Sequence, residues 1–144
     1  MNLINRIIQA ITETHPIHPM MVHFPIALTG AAAFFILLAL WKNKKFFEQA
    51  AFANIALATV STIVAGITGM YDNQINYVGD APNAGLKMIL AIMLFLITTV
   101  TAIARWKKPD LFENSKGLYV TAYFVSFALA LVLAFLGGVI LYGF

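Results

Sequence analysis

Four apolar runs of about twenty residues follow one another along the chain, at about 20–41, 50–70, 86–106 and 117–142. A helix needs about 20 mostly apolar residues to cross the hydrocarbon core of a bilayer, so each run is long enough to span one. The charge content agrees. Only 10% of the 144 residues are charged and 61% are hydrophobic, where a soluble domain has roughly 25% and 45–50%. Too few charges remain to cover a water-facing surface. The expected fold class is all-α integral membrane: a four-transmembrane-helix bundle over 15–144, preceded by an amphipathic interfacial helix over 1–14.

The first fourteen residues carry Ile4, Ile7, Ile8 and Ile11 at helical spacing, with Asn2, Asn5, Arg6 and Gln9 mostly on the other faces. Such a helix lies in the interface plane with its isoleucines in the acyl boundary, or packs on a partner subunit. A cleaved secretory signal is disfavoured, because Arg6 is the only charge of an n-region and no small-residue cleavage site follows. Span 1 starts near Met20, with Pro19 suited to the first turn and Pro25 expected to kink the helix locally. Asn54 is the one strongly polar residue early in span 2.

Orientation follows from the basic residues. Lys42, Lys44 and Lys45 follow span 1, and Arg105, Lys107, Lys108 and Lys116 surround the turn between spans 3 and 4, against Arg6 and Lys87 on the opposite side. The positive-inside rule places those two turns in the cytoplasm and both termini outside. The longest loop is expected at 71–85, and a short one at 109–116. Small residues step by four in span 2 (Ala58, Thr62, Gly66, with Ser61, Ala65, Gly69 beside them) and in span 4 (Ser126, Ala130, Ala134, Gly138, with Gly137 adjacent). Such rows let helix backbones approach closely in lipid. Gly66, Gly69, Gly137 and Gly138 are therefore the expected packing positions, and leucine at Gly66 or Gly138 should harm the bundle more than leucine at Ala39.

The densest chemistry lies in 15–26, His-Pro-Ile-His-Pro-Met-Met-Val-His-Phe-Pro-Ile, which holds all three histidines, His15, His18 and His23. A histidine entering a membrane helix calls for a functional hypothesis with a named partner, and three stay open. His18, His23 and Asp72, with nearby methionines, have the donor chemistry of a copper or other metal site, although their spacing matches no standard motif. His18 or His23 could ligate haem b, but two axial histidines from one short stretch cannot reach opposite faces of the ring. Alternatively the histidines anchor the interface, hydrogen-bonded to Asp72 or loop carbonyls, or act as a proton relay. With no cysteine there is no thiol chemistry or disulfide. No hydrolase, zinc-protease or phosphate-loop motif is present, and the net charge of +3 forms no block that would support nucleic-acid binding.

The stretch resembles the signature of an uncharacterised family of small bacterial four-span membrane proteins, H-P-x-H-P-M-x-V-H-F-P-I. Gly66–Asp72 and Gly137–Gly143 are similar to its other shared segments. The resemblance implies a domain of unknown function covering the chain after residue 14, with His18, His23 and Asp72 as the positions carried over and His15 less so. It further implies a histidine near the start of span 3 and an association with haem or cytochromes. Lys87 stands there instead, and no histidine follows His23, which removes a second haem ligand. The reading that results is a non-catalytic accessory or structural subunit of a larger membrane complex, in electron transfer or energy conversion. Its partners would be the lipid bilayer and other membrane subunits or further copies of itself. A haem b or copper redox protein is the alternative, and a small transporter or channel the third, disfavoured by the few polar residues in spans 1 and 3.

Overall fold

A computed structural model describes residues 2–9 and 17–142. His15, Ile11 and the junction expected at 14/15 lie outside the described residues. Six helices follow in order: α1 (Leu3–Gln9), α2 (Ile17–Lys42), α3 (Lys45–Tyr77), α4 (Ala84–Lys107), α5 (Leu111–Asn114) and α6 (Lys116–Tyr142). Among the described residues there is no strand. Four of these helices, α2, α3, α4 and α6, are long and apolar enough to cross a membrane. Neighbours in sequence are neighbours in space, and α6 returns to α2, which closes a ring of four antiparallel helices.

The tightest seam joins α2 to α3. Residues 43–44 make the turn, with Asn43 at φ 50°, a left-handed conformation that asparagine tolerates better than most residues. Ala32, Ile36 and Ala39 on α2 meet Ala51 and Ile55 on α3 in the core, joined there by Tyr119 and Tyr123 of α6. Counted from the turn, Ile36 is level with Ala51 and Ile55 with Ala32. Each large side chain thus lies opposite a methyl group, which is how helices come close without a hydrophobic effect to separate them from lipid. Outward-facing positions are large and apolar: Phe34, Leu57, Ile92 and Leu131, one on each spanning helix, are all exposed. In water such a surface would aggregate; in a bilayer it is the lipid contact.

Each expected span lies within a longer helix, and two connections differ from the expected loops. The 71–85 segment is not a loop throughout, because α3 continues to Tyr77. Asn76 donates to the Asp72 carboxylate one turn earlier, the kind of i,i+4 pair that supports a helix in water. Val78 (φ 52°) and Gly79 (φ 84°) then end it in the left-handed region, with the N–H groups of both donating to the Asn73 carbonyl. At about 1.5 Å per residue the 33 residues of α3 measure about 50 Å, so its polar last turns project beyond the hydrocarbon core. The 109–116 segment contains the single turn α5. Inside α2, Pro25 is accommodated without ending the helix, and the Thr29 hydroxyl donates to the Pro25 carbonyl at 2.6 Å.

The small-residue rows mark inner faces only in part. Ala58, Thr62, Ala65, Ser126 and Ala130 are buried. Of the four expected packing glycines, only Gly69 meets another helix: a Cβ built there would lie 2.8 Å from Cε1 of His18. A Cβ at Gly66, Gly137 or Gly138 would meet nothing described within 4 Å, whereas one at Gly30 would lie 3.0 Å from the Phe127 ring. Ala39 is 1% exposed. A first side-chain carbon thus finds room at Gly66 and Gly138, while Ala39 is already enclosed.

Candidate functional site

Polar side chains gather at both ends of the ring. At the end that carries most of the lysines, Glu48 lies one turn inside α3 and is 2% exposed. Arg105, near the end of α4, reaches it with two parallel bonds, Nε to Oε1 at 2.5 Å and Nη2 to Oε2 at 2.8 Å. This bidentate form is the strongest ion-pair geometry available to arginine. Tyr119 of α6 donates its hydroxyl to Oε1 at 2.9 Å, and its oxygen lies 2.7 Å from the Tyr123 hydroxyl. Since the single Tyr119 proton is engaged with the carboxylate, Tyr123 donates to Tyr119. The two rings stack edge to face at 5.0 Å, and the guanidinium lies 5.4 Å from the Phe52 ring centre. Three spanning helices are thus tied by one carboxylate whose charge is met by an adjacent guanidinium.

Sequence reasoning missed this knot. Glu48 falls within the basic turn if span 2 starts near Ala50, and Arg105 counts there only as a flanking cation. A recoverable signal existed: Glu48 was the lone acid in a lysine-rich turn, opposite a Tyr-x-x-x-Tyr pair on span 4.

At the opposite end stand the histidines. Because α2 begins at Ile17, His18 and His23 share one helix, and at about 100° per residue a separation of five residues turns them roughly 140° apart. They do not converge. His23 is exposed and its Nδ1 bonds the Pro19 carbonyl of its own helix; Pro19 lies in the first turn, where its missing N–H has no acceptor to lose. His18 lies over Gly69 of α3, with Nδ1 3.4 Å from the Thr68 hydroxyl. That hydroxyl also donates to the Val64 and Ala65 carbonyls. Asp72 and Lys87 are both within electrostatic reach of the ring, while His23 stands apart on the exposed side of α2. No group of three His, Asp or Glu side chains suited to a metal ion occurs among the described residues.

Between the ends, Thr29, Thr62, Thr98, Thr101 and Ser126 are buried, more polar groups than expected for spans 1 and 3. Each hydroxyl donates to a carbonyl three or four residues earlier in its own helix. They line no continuous hydrogen-bonded path between helices.

Helical spans, an apolar outer belt and inner hydroxyls bonded within their own helices, the buried Thr99 hydroxyl excepted, define a multi-pass all-α membrane protein. The chain belongs to the DUF2231 family, described as a predicted membrane protein, whose family model matches residues 14–144. No curated protein and no solved structure matches it.

Proposed function

We propose that the protein is a non-catalytic structural subunit of a larger membrane assembly concerned with electron transfer or energy conversion, lying in a bacterial inner membrane with both termini outside. The observation that carries this reading is the Glu48–Arg105–Tyr119–Tyr123 knot. A bidentate buried pair with both tyrosines engaged is a fixed clamp across three helices, suited to holding a shape rather than to opening a path. The connections at 43–44, 78–83 and 108–115 are too short for a second domain between spans, so its surface for other subunits is the apolar belt. The redox setting rests on the histidine stretch.

A second reading, a haem b or copper redox protein, draws support from His18, a part-buried imidazole with Asp72 within electrostatic reach. Asp72 and His23 remain the further ligands that reading would recruit, with the start of α2 having to unwind for His23 to join His18. One preparation separates the two. Membranes are dissolved in a mild detergent and the tagged chain is isolated; its native mass, oxidised and dithionite-reduced spectra and metal content are then measured. The subunit reading expects co-migration with other integral polypeptides or further copies, and free monomer would overturn it. A Soret band or near-stoichiometric copper, lost in His18→Ala, would establish the redox reading; a colourless, metal-free sample would remove it.

A further inference from the structure

The connections at the lysine-rich end enclose a cavity of about 220 Å³ between the α2–α3 turn and α5, lined by Lys44, Lys45, Glu48, Phe112, Glu113 and Lys116 among others. Three lysines line it against two glutamates, and one of those, Glu48, is already neutralised by Arg105. The net field is positive and suits an anion. Lys116 is steadied by the Phe112 ring, with Nζ 5.0 Å from its centre. Two spanning helices also begin here, α3 at Lys45 and α6 at Lys116. Lys44, at the start of α3, makes no side-chain cap, so the positive end of that helix dipole adds to the lysines.

The level of the cavity in the bilayer narrows the ligand. Trp41 and Trp106 close α2 and α4 at this end, 74% and 80% exposed, and exposed tryptophans at helix ends mark the headgroup layer. An anion at that depth is a lipid phosphate. A zwitterionic headgroup brings its own cation into a site that already has three, whereas an anionic one does not. We propose that this cavity seats the phosphate of an anionic phospholipid, a role that is independent of the assembly reading. Basic pockets between spanning helices are suited to such headgroups.

Native mass spectrometry of the full-length protein in detergent tests it, by titration with phosphatidylglycerol or with phosphatidylcholine of the same chains. Phosphatidylglycerol should bind and phosphatidylcholine should bind far more weakly. Lys44→Gln/Lys116→Gln should lose about tenfold or more in phosphatidylglycerol affinity, given the worth of each lysine at a lipid surface. Lys107→Gln/Lys108→Gln removes the same charge from the same end, outside this cavity, and should stay close to wild type. Equal losses in the two variants would mean diffuse attraction and overturn the site. Equal binding of both lipids would overturn the anionic specificity. Displacement of the lipid by an equal concentration of inorganic phosphate would make the ligand a free anion and overturn the headgroup assignment.

Discussion

Gly69 carries no side chain, and the His18 ring fills the space where one would begin. A methyl group there would lie 2.8 Å from the ring, closer than carbon atoms tolerate, so Gly69→Ala must push His18 or the helix aside. Overpacking of that kind costs about 1–3 kcal/mol. Gly66→Ala, one turn away, meets open space and should gain the roughly 0.5–1 kcal/mol by which alanine exceeds glycine in a helix. Thermal unfolding in detergent should therefore move in opposite directions for the two variants. Adding His18→Ala should recover most of the Gly69→Ala loss, a coupling that only direct contact explains; equal effects at both glycines would remove the contact. The two small-residue rows that hold these glycines were visible in the sequence, but not which glycine faces a helix. Spacing fixes a face, while the angle between helices decides where along that face the backbones are close, and that angle is set by side chains on other helices.

The spanning elements were legible because the property that makes them, a long apolar run, is local. Their ends were less so. Asp72, Asn73 and Asn76 have loop chemistry, yet in a helix projecting into water they pair with one another and with the terminal amides, and α3 gains nearly two turns. The Glu48–Arg105 pair was hidden for a different reason: its partners are 57 residues apart, at the far ends of two consecutive helices, and only the packing of α3 on α4 brings them together. It ties α3 to α4, with α6 joined through Tyr119, and it should behave as a buried pair. Removing one partner leaves an uncompensated charge, so Glu48→Gln or Arg105→Met alone should each cost about 3–5 kcal/mol. Replacing both, as Glu48→Leu/Arg105→Met, should cost much less than the sum, because neither charge remains to be desolvated. Tyr119→Phe removes one charge-assisted bond and should cost about 1.5–3 kcal/mol. Strict additivity of the two charge substitutions in denaturation midpoints would sink the clamp.

At the scale of the whole molecule, the ring has two chemically distinct ends, and their placement in the membrane decides what each can meet. One end holds Lys42, Lys44, Lys45, Lys107, Lys108 and Lys116 around the Glu48 knot; the other holds His18, Asp72 and Lys87. Lysine and arginine are retained on the cytoplasmic side during insertion, so the knot and its cavity should face the cytoplasm and His18 the outside. The chain contains no cysteine, so one introduced thiol reports one position without background. Asp80→Cys, in the exposed 78–83 connection, and Asn114→Cys, in exposed α5, sample the two ends with little disturbance. In intact cells a membrane-impermeant maleimide that reaches the periplasm should label Asp80→Cys and spare Asn114→Cys until the membrane is permeabilised. The reverse pattern would place the histidine end in the cytoplasm. A periplasmic electron donor could not then reach His18, and the lipid cavity would face the outer leaflet. Labelling of both in intact cells would mean mixed insertion, which six lysines and Arg105 at one end, against Lys87 at the other, should prevent.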